Sequence, residues 1–215
     1  MPNPLRQEVK RWLELSIPQR LFLVRGSATR RIAALTFDDG PDPELTGRIL
    51  DILRSEGVKA TFFVVGQKVA WYPGTIAQIA AEGHEIGHHS FTHSEPRATS
   101  TYRFAAEIGE TRRALDRCCT AKPRFLRPAH GKLTPGKLLA AWGNGLGVAL
   151  WSADPKDFAA SSERIKEHFR RSPIQSGDVV LLHDTSAETV EALPEIIRSG
   201  HDAGLTFVRL EDLVR

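Results

Sequence analysis

An α/β fold built on a parallel sheet is the class this sequence predicts, and three observations lead to it. Short apolar runs alternate along the chain with stretches of helical periodicity. Glycines stand where those helical stretches should end. Clusters of carboxylates and histidines come directly after the apolar runs, the place where parallel sheets of both the open and the closed kind carry their sites. An open sheet and a closed barrel both satisfy these observations.

The elements can be justified in order. Residues 5–17, "LRQEVKRWLELSI", put Leu5, Val9, Trp12, Leu13 and Ile17 at near-helical spacing. This predicts a helix packed on the domain, with a helix lying on a membrane surface as the sharper alternative. Residues 1–30 are expected to form a helix and a strand packed against a main domain of 31–215. Strands are predicted at 32–36, 60–65, 84–87, 124–126, 146–151, 179–182 and 206–208. Helices are predicted near 45–56, 73–82, 102–118, 134–142, 161–171 and 186–201. Pro73 suits the first turn of its helix, and Gly57, Gly83 and Gly204 suit C-terminal caps. No internal repeat or low-complexity stretch interrupts the pattern.

Composition sets outer bounds. A chain of 215 residues is long enough for one domain with a sizeable core. Its net charge of +3, from 29 basic and 26 acidic residues, is weak and dispersed, which argues against nucleic acid as a partner. The only cysteines, Cys118 and Cys119, are adjacent, so no disulfide framework is expected and a reducing compartment is mildly favoured. No apolar run approaches the ~20 residues of a membrane span. The N-terminus lacks the apolar region and cleavage site of a secretory signal. A soluble, cytoplasmic protein is the expectation.

The chemistry lies after the strands. "DD" follows the first, "HHSFTH" the third, "RPAHG" the fourth, "SADPKD" the fifth and "HD" the sixth. Adjacent carboxylates at Asp38 and Asp39 repel unless a cation or a shared proton offsets the charge. His89 and His93 are four apart, the spacing that sets two imidazoles on one side of a helical turn. With Asp38 or Asp39 they would make a His₂-carboxylate metal site with open positions. His84 and His88 are near in sequence, so spacing alone does not choose among the imidazoles. The aspartate left outside the metal would serve as general base. Gly40 and Pro41 are expected to make the tight turn that aims both carboxylates. Taken singly, Arg127 reads as a surface arginine, Asp154 and Asp157 as helix caps, and His183 as a core histidine.

"TFDDGP", "HSFTH", "RPAHG", "DPKDF" and "LLH", in this order, resemble the five motifs of the NodB-homology polysaccharide deacetylases, carbohydrate esterase family 4. The resemblance runs from about residue 32 to 214, and "ATFFVVG" and "AEGHEIGHHS" extend it between motifs. It implies a distorted (β/α) barrel of about seven parallel strands, a divalent metal, and removal of acetyl groups from N-acetylglucosamine-type glycans. By the same resemblance Asp38 is the catalytic base, Arg127 the arginine that holds it, His183 the general acid and Asp157 its partner. Asp39, His89 and His93 are the metal ligands, with zinc first and cobalt or another first-row ion as alternatives. Leu181 lines the acetyl pocket, and the backbone N–H of His130 stabilises the oxyanion.

The sequence departs from the family pattern at four places. His130 replaces a tyrosine, Phe158 a tryptophan, Ala129 the second proline of the third motif, and His88 the asparagine before the first metal histidine. None removes a catalytic group. They bear instead on which substrate is used: chitooligosaccharide, peptidoglycan, exopolysaccharide, or a non-sugar amide or cyclic imide. A sugar-binding module without catalysis is a further alternative.

Overall fold

The computed structural model describes residues 16–95 and 97–215. Among the described residues, eight strands, all in parallel pairs, form one curled sheet: β1 (Phe22–Leu23), β2 (Ile32–Asp38), β3 (Thr61–Val64), β4 (Glu85–His88), β5 (Phe125–Leu126), β6 (Gly147–Ala149), β7 (Val179–His183) and β8 (Thr206–Phe207). Their order is β1-β6-β5-β4-β3-β2-β7, with β8 paired to the start of β2. The edges meet without a regular ladder. Ala153 bridges Val180, the Ser152 N–H donates to the Val179 carbonyl (3.0 Å), and the Gly26 N–H donates to the Gly177 carbonyl (2.7 Å). This is a distorted (β/α) barrel, the form the family resemblance implied where the sequence pattern alone left an open sheet or a closed barrel.

Alternation along β2 explains both faces of the barrel wall. Ala33, Leu35 and Phe37 point outward and join Phe62, Val64, Val180 and Leu182 in the layer under the helices. That layer is completed by α1 (Leu45–Ser55) through Ile49, Leu50 and Leu53, and by α7 (Ala187–Asp202) through Leu193, Ile196 and Ile197. Ala34 points inward, into a smaller core of Leu23, Phe63, Phe125, Ala149 and Val179. The next inward positions of the same strand are Thr36 and Asp38, both buried and polar. A strand's period of two therefore carries the interior from apolar to polar as it nears the carboxyl rim.

The remaining helices are α2 (Gly66–Trp71), α3 (Pro73–Ala81), α4 (Thr101–Leu115), α5 (Pro135–Gly143), α6 (Ser162–Arg171) and α8 (Leu210–Leu213). Neither α2 nor α8 shows in the sequence pattern, because so short a helix makes too few turns to display a period. The α8 segment closes the barrel base. Its Leu210 and Leu213 enter the inner core, the Leu210 N–H donates to Thr61 Oγ1 (3.0 Å), and the Glu211 N–H donates to Glu85 Oε2 (3.0 Å). Burial pushes the Glu85 carboxyl up to about 7.

Among the N-terminal residues, Phe22–Leu23 belongs to the sheet itself, paired with Val148 and Ala149 of β6. The helix expected over 5–17 lies outside the described residues except at its end, where Ile17 packs beside Phe22, Leu126 and Val148. Among the described residues, no helix is long and apolar enough to cross a membrane.

Candidate active site

Five strands bring polar side chains to one rim. The β2 strand ends at Asp38, and the next residue, Asp39, turns the chain with φ 73°. The tight turn thus rests on the left-handed aspartate. Gly40 and Pro41, expected to make the turn, follow it, joined by a cis peptide bond, and Gly40 is not among the residues with positive φ. Asp42 caps the turn by accepting from the Glu44 and Leu45 N–H groups (3.0 and 2.8 Å).

His89 and His93 follow β4, yet no helical turn joins them. Ser90 (φ 59°) and His93 (φ 53°) are left-handed, so an irregular loop sets the pair. Its shape is fixed by buried acceptors. Glu107 on α4 takes the Phe91 N–H (3.0 Å) and the Thr92 hydroxyl (2.9 Å), and Ser90 Oγ takes the His93 N–H (2.9 Å). His88 Nδ1 accepts the Ser90 N–H (3.0 Å), and burial lowers its pKa to about 3, so this imidazole is a neutral brace beneath the loop. His84 sits at the start of β4, where its Nδ1 accepts the Ala60 N–H (3.1 Å). Neither His84 nor His88 faces the rim cluster.

Asp39, His89 and His93 do form one. Asp39 Oδ1 lies 3.2 Å from His89 Nε2 and 3.1 Å from His93 Nε2. The ligand atoms of all three residues lie within 4.8 Å of one another. His89 Nδ1–H donates to the Arg127 carbonyl (2.8 Å), which leaves Nε2 aimed at the cluster. Asp39 Oδ1 is buried without a hydrogen-bond partner. Burial would raise the Asp39 pKa, but the close approach of the His89 imidazole, with the charges of His93 and His183, holds it well below the usual carboxylate range. An orphaned carboxylate oxygen facing two imidazole nitrogens fits a divalent cation of the borderline class.

Asp38 stands beside this group and is held differently. Its Oδ1 accepts from Arg127 Nη1 (2.7 Å), and its Oδ2 is 3.7 Å from His89 Nε2. Arg127 is fully buried, and three more of its N–H donors are used. Nη1 also reaches Thr36 Oγ1 (2.8 Å), Nη2 the Leu150 carbonyl (3.0 Å) and Nε the Ala149 carbonyl (3.3 Å). Its guanidinium stacks 4.1 Å above the Phe63 ring. Gly87 is required beneath that ring, since a Cβ there would lie 2.5 Å from Phe63.

Across the cleft, His183 ends β7. Its Nδ1–H donates to Asp157 Oδ1 (2.7 Å) and its backbone N–H to Asp157 Oδ2 (2.7 Å). The Thr189 hydroxyl donates to the same Oδ2 (2.5 Å). Burial opposes protonation of His183, but the hydrogen bond and charge of Asp157, with the charges of Asp38 and Asp39, raise its pKa to about 9. Its Nε2 is 4.0 Å from Asp39 Oδ2. Asp157 therefore braces a histidine and caps no helix.

The cleft between these groups measures about 460 Å³, with Leu181 and Trp151 in its wall and His130 at its edge. His130 is left-handed (φ 55°), and its ring lies 4.9 Å from that of His93. Phe158 is 65% exposed and meets the His183 ring edge-on at 5.8 Å. Beyond Phe158 a second cleft of about 490 Å³ continues along Ser161, Ser186 and Glu188. Thr36, Trp151 and Asp154 are site residues that the sequence reading did not select. Trp151 Nε1–H donates to Asp154 Oδ2 (3.1 Å), so Asp154 fixes a cleft wall. The signal was available in "WSADPKDF", where the tryptophan closes the apolar run 146–151.

The family model for polysaccharide deacetylase matches residues 25–148. A peptidoglycan-N-acetylglucosamine deacetylase of Bacillus cereus is 35% identical over 191 residues, 86% of this chain and 89% of that protein. A chitooligosaccharide deacetylase of Bradyrhizobium sp. is 39% identical over 171 residues, 76% of this chain and 77% of that one. The solved structure of the Bc1960 peptidoglycan N-acetylglucosamine deacetylase superposes with a TM-score of 0.86 at 32% identity, covering 94% of both chains. A pseudoenzyme of carbohydrate esterase family 4 from Bacillus anthracis superposes at 0.85 with 25% identity, covering 91% of this chain and 69% of that one. The chain belongs to the polysaccharide deacetylase family.

Proposed function

We propose that this protein is a metal-dependent hydrolase that removes the N-acetyl group from N-acetylglucosamine-type glycans. One observation carries the reading. A partnerless buried carboxylate oxygen faces two imidazoles, with a second carboxylate and a raised-pKa histidine lining the same cleft. A pseudoenzyme shares the fold, so the fold does not by itself argue for turnover; the intact charged set does.

Asp39, His89 and His93 would hold the ion, most simply zinc. Bound there, it supplies Lewis acidity to the acetamide carbonyl and acidifies water. The protein's own residues do the rest. Asp38, held in place by Arg127, takes a proton from the water that attacks the carbonyl carbon. The backbone N–H of His130, at the rim, is the donor for the developing oxyanion. Leu181 and Trp151 give the acetyl methyl an apolar wall. His183, kept protonated by Asp157, gives its proton to the departing nitrogen as the C–N bond breaks, leaving acetate and a free amine.

The test is acetate release from chitooligosaccharides, peptidoglycan fragments and a cyclic imide, using stripped protein with zinc or cobalt restored. Metal-dependent acetate from the glycans is expected. Turnover of the imide alone would move the substrate outside sugars. Glycan binding with no acetate at any metal would place this chain with the pseudoenzymes.

A further inference from the structure

We infer that Asp184, the residue after the proposed general acid, is a positioning residue for the metal-binding turn, and that position 40 is glycine because of the Asp184 carboxyl group. This rests on the reading of Asp39 as a metal ligand. The "DDG" sequence suggests that the glycine serves the backbone, but Gly40 does not adopt a positive φ, and the left-handed residue is Asp39. Position 40 therefore lies outside the left-handed region that favours glycine. The obstacle is spatial. A Cβ on Gly40 would lie 2.0 Å from Asp184 Oδ2 and 2.2 Å from Oδ1.

The carboxyl group that fills this space has little freedom to leave it. Asp184 is 1% exposed. The Thr46 hydroxyl donates to its Oδ2 (2.6 Å), and the same hydroxyl accepts the Asp42 N–H (2.8 Å). Its backbone N–H donates to the Asp38 carbonyl (3.3 Å). Asp184 thus meets the 38–42 turn at three points: the Asp38 carbonyl, the space a Cβ on Gly40 would fill and, through Thr46, the Asp42 N–H. Asp38 and Asp39 project from that turn, while His183 sits one residue from Asp184. The side chain ties the carboxylate half of the site to the end of β7, and so sets the base and metal ligand against the acid. Nothing in the chemistry proposed above uses it. Moving a packed, desolvated carboxyl group to admit a methyl would break the Thr46 contact, so the turn must move instead.

The prediction is a suppressor pattern. Wild type, Gly40→Ala, Asp184→Ala and the double variant are compared for zinc retained per chain, for melting temperature after stripping with chelator, and for acetate release. Gly40→Ala should lose zinc and melt lower. Asp184→Ala should fold but bind zinc roughly 10–100-fold more weakly, the usual effect of losing a group that orients ligands. The double variant should regain zinc binding and melting temperature to the level of Asp184→Ala alone, because the methyl added at position 40 then occupies the vacated space. Thr46→Val keeps the side-chain volume and removes only the hydroxyl, and should also weaken zinc retention with Asp184 intact. A Gly40→Ala protein that binds zinc like wild type, or a double variant no better than Gly40→Ala, overturns the inference. So does unchanged zinc binding in Thr46→Val. If wild type itself retains no zinc, the metal reading fails, and the melting temperatures of the stripped proteins still decide whether Asp184 excludes a side chain at 40.

Discussion

Replacing Asp157 by asparagine should move the basic limb of the pH–rate profile, and the structure sets the size of the move. His183 titrates at about 9 in place of 6.5, so wild-type activity should persist through neutral pH and fall only as pH climbs past about 9. Asp157 accepts from His183 Nδ1 on one oxygen and from the His183 N–H and the Thr189 hydroxyl on the other. Asparagine has a single carbonyl oxygen. Kept toward the N–H and the hydroxyl, it turns its NH₂ toward Nδ1, which must then accept, and the imidazolium loses both its anion and its acceptor. Losing one close carboxylate is worth about 1–3 pKa units, which brings the limb to about 7. At pH 8 a group of pKa 9 is about nine-tenths protonated and one of pKa 7 about one-tenth, so the variant should be roughly tenfold slower there relative to its own plateau. A bound cation lowers both limbs alike, so the difference between the two proteins is the quantity to read. The assay is initial acetate release from a chitooligosaccharide between pH 5 and 10 in zinc-loaded proteins. His183→Ala should cost roughly 10²–10⁴ in rate on the amide and much less on an aryl acetate, whose leaving group needs no proton. Coincident basic limbs, or an equal loss on both substrates, would refute the role given to His183.

His93→Ala should abolish stoichiometric zinc binding by direct titration, whereas His88→Ala should retain most of it, since His88 braces the loop from below; the reverse result would relocate the site. Glu85 has its pKa raised from 4.5 to about 7, so its contribution to stability is complete below pH 4.5 and is lost as pH rises through 7. Denaturant melts of Glu85→Gln should therefore show a flatter stability–pH slope between pH 5 and 8 than wild type, with a difference on the order of 2–3 kcal/mol across that range, and an identical slope would show that Glu85 is ionised in the fold. Leu23→Ala, emptying a fully buried place in the inner core, should cost about 2–5 kcal/mol in the same melts, and a cost near zero would detach β1 from the barrel.

Much of the fold was legible because its signals are local. The β2 strand was visible as an apolar run and α1 as a period of 3.6, and Gly57, Gly83 and Gly204 do take the positive φ that helix ends favour. The site was legible for another reason: a residue placed after a strand of a parallel sheet must reach the rim, whatever the strand's length. What stayed hidden depends on contacts between distant parts of the chain. Spacing suggested a helical turn joining His89 and His93; the two do lie together, but a loop pinned by Glu107 brings them there, and nothing local connects residue 107 to residue 91. Gly40 reads as a turn glycine until the Asp184 carboxyl group, 144 positions along the chain, is seen against it. Thr36 reads as one more β-branched strand residue, yet its hydroxyl donates to the Val180 carbonyl (2.6 Å) and receives Arg127 Nη1. In each case a short motif states which groups are present, while a partner from another strand or helix states how they are aimed. The substitutions at His88 and His130 follow the same division. One lies beneath the loop that carries His89 and His93 and can change only how firmly that pair is held. The other stands at the cleft edge beside His93, where an incoming sugar would meet it, so substrate preference among the family's glycans should respond to His130 far more than to His88.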